Sequence, residues 1–304
     1  MRPYDKPALS YRQQLDLLRQ RGLHVAEPWE AEKFLSRVSY YRISTYFMPF
    51  QSERDRFVPR SSFDAIVRLY QLDEELRNGF FAALAPVEIS LRTRFVYALS
   101  HGWGAFAHYS SDLARSDFDH VEWLKSVERE IERAREPFID HYRATYEGFP
   151  RLPLWMAVEV MSLGSLSTLY NGLRPEPRRR IADGLGLPHP VLRSWLHFLT
   201  YLRNVCAHHA RLWDRELAIR PEIPRKDSRW TTLGLDNSRA FCALPVLEWI
   251  HSWCRLPDAN LGDVRRTLSR IAATDPRFPR MMGMPPLWHG GRVFSDGSLR
   301  EDNA

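Results

Sequence analysis

The chain has 304 residues, 44% of them hydrophobic, enough apolar material for one large domain or two modest ones with a continuous core. Charged residues make up 26% and the formal balance is +6, a lean toward an anionic partner that an ordinary soluble basic surface would also produce. No run approaches the ~20 apolar residues of a membrane span, the N-terminal MRPYDKPALSYRQQ has no apolar signal core, and Cys206, Cys242 and Cys254 form neither a CxxC pair nor a disulfide framework, so a cytoplasmic protein with buried free thiols is expected.

Helical periodicity dominates, with apolar residues recurring at three- and four-residue spacing through Leu15 and Leu18 and again through Phe63, Ile66, Val67, Tyr70, Leu76, Phe80 and Leu84. The expected fold class is all-α, about eight or nine helices with little or no sheet. Three parts are expected: an N-terminal helical unit over residues 1–58, a larger helical domain over 59–257, and a C-terminal helix and tail over 258–304. In the first part, helices over 11–19 and 28–38 precede the aromatic segment SYYRISTYFMPF, a short strand or an irregular stretch. Its tyrosines beside Arg42 could stack on bases, although aromatics this dense more often fill a core.

Ser61 and Ser62 offer a helix N-cap, and Pro86 should kink or divide the helical run that follows. Glu88 and Arg92 stand four apart, share a helix face and can pair. Residues 118–135 predict an outer amphipathic helix with Val121, Leu124, Val127 and Ile131 on its apolar side. A helix starting at Pro153 carries Glu159, a lone acid in an apolar run that calls for an arginine partner, and Gly164, which allows close approach or a bend. Residues 175–180 read as a Pro/Arg-rich loop, and Gly184-Leu-Gly-Leu-Pro-His-Pro190 breaks the chain before a helix over 191–216. Irregular proline-rich sequence, helices over 240–255 and 263–273, and a tail frayed from Gly290 onward complete the chain.

The helix over 191–216 concentrates the titratable groups. At 100° per residue Trp195, Leu199, Leu202, Cys206, His209 and Trp213 form one stripe, the expected buried side, while Tyr201, Asn204, His208, Arg211 and Arg215 form another. His209 is therefore expected in the core, and Arg211 and Arg215 beside His208 suit a phosphate backbone. Cleaving RNA without metal needs a base for the 2′-OH, an acid for the 5′-leaving oxygen and a cation for the phosphate. One imidazole cannot be base and acid in the same step, and Arg203 lies about 140° round the helix from His208. Two copies meeting about a two-fold axis would supply two imidazoles and two guanidiniums, so a homodimer is expected. Asn204, one turn before His208, can orient the imidazole or bond a phosphate oxygen.

The run RNVCAHHARLWDR, residues 203–215, resembles the R-N-x-x-A-H-H-x-R-x-W segment of the Abi-like proteins, and its R-N-x3-H matches the R-x4-6-H signature of HEPN ribonucleases. Lys6-Pro7, Ser39-Tyr-Tyr-Arg42, Tyr70-Gln-Leu-Asp73, Glu88-x3-Arg92 and Leu154-Trp155-x3-Glu159 resemble further landmarks of the family in its usual order. The bare signature is weak, because Arg19/His24, Arg94/His101 and Arg115/His120 also satisfy it.

The resemblance implies an all-α HEPN-like bundle and an endoribonuclease of abortive-infection defence against phage. Arg203, Asn204 and His208 would be catalytic, with His209, Glu88 and Arg92 as possible supports. Tyr201, Arg42, Arg211 and Arg215 are candidate RNA contacts. RNA is the expected partner, as substrate or as an associated small structured RNA, with no cofactor, metal or membrane. Two alternatives stay open: an RNA-binding adaptor that does not cut, and a toxin held by a partner antitoxin. Metal-dependent chemistry is disfavoured by the lack of clustered carboxylates in the sequence.

Overall fold

The first helix starts where side chains can satisfy its free amides: Ser10 Oγ accepts from the Gln13 N–H at 3.3 Å, and Gln13 Oε1 accepts from the Ser10 N–H at 2.9 Å. The structure is a computed structural model that describes Pro3 and residues 7–294; Lys6 of the family landmark lies outside them. It is mainly α, 63% helical, with fourteen helices and two short strands among the described residues, more helices than the eight or nine expected. Contacts divide the chain into two compact units, one ending at Leu76 and the other beginning at Arg77.

In the first unit, α1 (Tyr11–Gln20) and α2 (Pro28–Arg37) match their expected spans. The aromatic segment is neither strand nor wholly irregular. It forms the short helix α3 (Tyr40–Ser44) and a 3-10 turn, followed by the hairpin β1 (Gln51–Glu53) and β2 (Arg56–Phe57). Tyr46 and Phe47 are buried, and Tyr46 donates to the buried Asp73 carboxylate at 2.5 Å, so these aromatics are core. Tyr41 is 85% exposed, and Arg42 beside it is exposed.

Helix α4 (Phe63–Trp103) runs unbroken through Pro86. Proline removes the amide that would bond the Ala82 carbonyl. Asn260 Nδ2 donates to that oxygen at 3.1 Å, and His251 Nε2 lies 2.9 Å from the neighbouring Ala83 oxygen. Tertiary partners thus replace the lost ladder bond, and the expected division does not occur. Glu88 and Arg92 pair at 2.6 Å, and Arg92 also donates to the Met161 carbonyl at 3.0 Å.

There follow α5 (His120–Arg133), α6 (Pro137–Thr145), α7 (Leu154–Val160), α8 (Leu163–Gly172), α9 (Pro175–Asp183), α10 (His189–Ala207), α11 (Ser228–Thr231), α12 (Ala243–Cys254), α13 (Ala259–Thr274) and α14 (Phe278–Met282). In α5 the inner side is His120, Trp123, Val127 and Ile131, while Val121, expected inside, is 62% exposed. The helix expected from Pro153 is two, because Ser162 caps α8 by accepting from the Ser165 N–H. Glu159 is exposed and needs no ion pair, and the expected arginine goes to the end of α7 instead. Residues 175–180 are helical: prolines at the first and third positions of α9 occupy sites whose amides have no intrahelical partner.

Residues 290–294, expected to be frayed, are ordered against the core. Phe294 is buried against Trp230 and Trp249, with ring centroids 4.9 and 5.8 Å away, and the Val293 N–H donates to Glu248 Oε2 at 2.8 Å. Residues 295–304 lie outside the described part. Cys206 and Cys242 are buried thiols and Cys254 is half-buried.

His108, in the turn between α4 and α5, is 1% exposed. Burial, reinforced by His120 and Arg151, pushes its pKa down from 6.5 to about 3. The folded state holds the neutral ring while the unfolded chain takes a proton below 6.5. This contribution is therefore complete above pH 6.5 and is lost as pH falls toward 3, at about 1.4 kcal/mol per pH unit. Urea unfolding between pH 7 and 4 should show wild type losing about 3 kcal/mol more than His108→Leu over that interval; parallel pH profiles would contradict this origin.

Candidate functional site

Helix α10 carries its apolar stripe inward as the periodicity predicts, with Trp195, Leu199, Leu202 and Cys206 buried. It does not reach residue 216. The ladder stops at Ala207, His208 is the C-cap, and His209 turns left-handed at φ 53°. The His209 N–H donates to the Cys206 carbonyl at 3.1 Å and the Ala210 N–H to the Val205 carbonyl at 3.0 Å. These are the two bonds of a Schellman stop, with histidine at the position that usually holds glycine.

This stop corrects three expectations. His209 is exposed rather than core, because the positive φ takes it off the apolar stripe. Trp213 is buried, but from the loop, with its ring 4.3 Å from Phe278. Arg211 and Arg215 do not continue the His208 face. Arg215 instead bonds the Tyr201 hydroxyl at 2.8 Å and the Arg211 carbonyl at 3.1 Å, and its guanidinium lies 5.9 Å from the Tyr201 ring centre. Asp214 is the second left-handed residue of this loop, at φ 45°, and accepts from Arg239 at 3.0 Å. Burial raises the Asp214 pKa, and Arg239 and Arg211 pull it back.

Asn204 and His208 remain one turn apart, since the His208 N–H donates to the Asn204 carbonyl at 3.0 Å. Both side chains are exposed, and Arg203 is half-buried on another side of the helix end. Among the described residues none of the three side chains makes a hydrogen bond or ion pair with protein, so all are open to a ligand. His208 and His209 together offer two consecutive exposed imidazoles. Glu88 and Arg92 bond each other and the end of α7, a bracing role, and Arg42 belongs to the other compact unit. No group of three or more His, Cys, Asp or Glu side chains among the described residues could hold a metal ion.

Periodicity alone could have found more of this face. Arg193 and His197 lie on the same exposed side of α10 as Asn204, three and two turns back.

The left-handed backbone at His209 gives a direct stability test. His209→Gly should raise stability by roughly 0.5–1 kcal/mol in thermal or urea unfolding, while His209→Ala should not. Equal behaviour of the two variants would mean that the turn carries no strain.

Comparison with curated proteins and with solved structures finds no match for this chain. The family model described as Abi-like protein matches residues 33–214, from α2 to the residue just after Trp213 in the loop that follows α10. With more than half of its length matched, through the turn that presents Arg203, Asn204 and His208, the chain belongs to the Abi-like protein family.

Proposed function

We propose that this protein is a metal-independent endoribonuclease of the HEPN type, acting in the cytoplasm as a homodimer in abortive-infection defence. The observation that carries this reading is the end of α10, where Asn204 and His208 stand exposed one turn apart and Arg203 lies on another side of the helix, all three without protein partners among the described residues and inside the matched family region. An imidazole takes the proton of a ribose 2′-OH, whose oxygen then attacks the adjacent phosphorus. The P–O5′ bond breaks, a second imidazole, protonated, gives its proton to the leaving 5′-oxygen, and the strand ends in a 2′,3′-cyclic phosphate. Histidine suits both roles because its two protonation states coexist near neutral pH. Arg203 stabilises the charge that builds on the phosphate, and Asn204 orients the ring or bonds a phosphate oxygen.

The second imidazole comes from the two-fold partner's copy of the same turn. The exposed position of His209 favours a second arrangement, in which His208 and His209 of one chain divide the proton transfers. Incubating purified protein with a mixed RNA pool in EDTA and mapping product ends tests the reaction. Cyclic-phosphate ends from wild type support it. Binding without cutting, even with infected-cell extract added, would favour the adaptor.

A further inference from the structure

The exposed face of α10 continues well beyond the turn that holds Asn204 and His208. Counted back at 100° per residue, Thr200, His197 and Arg193 lie within about 40° of Asn204. Arg193 and His197 are exposed, as Asn204 and His208 are. At about 1.5 Å per residue, the path from Arg193 to His208 is about 22 Å long, the length of several nucleotides.

From Arg193 to about Thr200 this stripe is the floor of a trough, which leads toward Asn204 and His208 at the open end of the helix. One wall is α8, which approaches so closely that a Cβ at Gly164 would stand 3.6 Å from Thr200 Cγ2. The other is the chain after α10, which runs back along the helix. The Ala218 N–H points to the Tyr201 hydroxyl at 3.5 Å, the Glu222 N–H donates to Ser194 Oγ at 2.8 Å, and Trp195 Nε1 donates to the Glu222 carbonyl at 2.8 Å. At the Arg193 end the trough holds a cleft of about 430 Å³ lined by Ser167, Thr168, Arg193, Ser194, His197 and Glu222.

The chemistry of this cleft is that of a strand-binding subsite. It offers hydroxyls, an imidazole and the Arg193 guanidinium, which has no ion pair among the described residues. Positive charge continues past it: Arg179 is exposed on α9, and Arg178 turns inward to the Asn171 carbonyl at 2.5 Å. Burial lowers the proton affinity of His189 at the start of α10, Arg179, Arg178 and Arg193 lower it further, and Asp183 opposes them. Among the described residues that line the cleft Glu222 is the one acid, an acceptor that suits a ribose hydroxyl or a base amine and repels phosphate. Walls on both sides suit a single strand, whereas duplex RNA is read across a broad surface.

We propose that a single RNA strand lies along this trough, its scissile phosphate at Asn204 and His208 and a second phosphate, several nucleotides away, held in the cleft by Arg193, with Arg179 beyond it. This rests on the reading that RNA is the substrate. It makes the cleft a length-sensing subsite: a strand long enough to reach Arg193 is bound and cut better than a fragment that spans only the scissile bond.

The test uses the full chain and a short labelled single-stranded RNA in anisotropy titrations over a range of salt. In the His208→Ala background, adding Arg193→Ala should weaken binding roughly 5-fold and adding Arg179→Ala as well roughly 10- to 50-fold. Each lost phosphate contact should lower the slope of log affinity against log salt by about 0.7. Removing two charges from α5 with Lys125→Ala and Arg133→Ala should have far less effect. In the cleaving protein, Arg193→Ala should reduce kcat/KM more for a long strand than for a dinucleotide, with an unchanged melting temperature. If wild type cuts RNA while the Arg193 and Arg179 variants alter neither binding nor length preference, the trough is overturned and the catalytic reading stands. If no RNA is cut yet these variants lose binding, the catalytic reading and the scissile position fall, and the cleft stands as a strand-binding site alone. If wild type binds no RNA, both fall.

Discussion

Replacing His208 with alanine is expected to lower RNA cleavage by roughly 10²–10⁴-fold, the usual contribution of a positioned general acid or base. Arg203→Ala should cost a comparable ~10²–10³-fold by removing the cation from the developing phosphate charge. Neither loss should come with unfolding, since neither side chain holds another element in place. The two arrangements for the second imidazole predict different mixing curves. When wild type is diluted with excess His208→Ala protein and allowed to exchange subunits, a composite two-fold site makes activity per wild-type chain fall in proportion to the wild-type fraction. A site made by His208 and His209 of one chain keeps that activity constant, and His209→Ala is then as damaging as His208→Ala. Full cleavage by both His208→Ala and Arg203→Ala would dismiss the end of α10 as the catalytic site.

What the sequence reveals of this site depends on how each element is marked. Helices α1, α2, α12 and α13 are legible to within a few residues because a cap, a proline or a periodic apolar face marks each of them. The end of α10 is not, because the usual signal of a Schellman stop is glycine and this chain uses His209. The apolar pattern also runs on through Leu212 and Trp213, which the loop buries as a continued helix would have. A reading by periodicity therefore sends His209 into the core and aligns Arg211 and Arg215 with His208 along a helix that has already ended at Ala207. Pro86 shows the opposite error: a residue that breaks isolated helices is tolerated where Asn260 and His251 reach the carbonyls beside it, a partnership more than 160 residues distant in sequence. The trough is the least legible part, since one of its walls is formed by residues that follow the helix and bond back to it through side chains.

The largest expected stability effect lies away from the turn that ends α10, in the ion pair between Arg265 of α13 and Glu248 of α12. Both side chains are at least nine-tenths buried and their atoms stand 2.8 Å apart. The second Glu248 oxygen accepts from the Val293 N–H, while Arg265 also binds Asp258, which Arg292 reaches at 3.2 Å. Removing one partner strands the other's charge in the core, so Arg265→Met should cost about 3–5 kcal/mol. Glu248→Leu with Arg265→Met should recover much of this, because a buried pair replaced by apolar groups leaves no unpaired charge. The variant should also depend on pH in a definite sense. Burial raises the Glu248 pKa, and the Arg265 bond opposes that rise. Without arginine the folded state holds the carboxyl proton more tightly still, so stability falls as pH rises and the deficit should be larger at pH 8 than at pH 5. Denaturant unfolding of the single and double variants at both pH values decides the matter; a loss no greater than that of breaking the exposed Arg220–Glu216 pair would refute it. The consequence for function runs through Trp249, on the same helix as Glu248, whose ring meets that of Trp195 at 6.4 Å. Loosening α12 therefore loosens the floor of α10, and RNA cleavage by Arg265→Met should fail at a lower temperature than in wild type, while the double variant regains it.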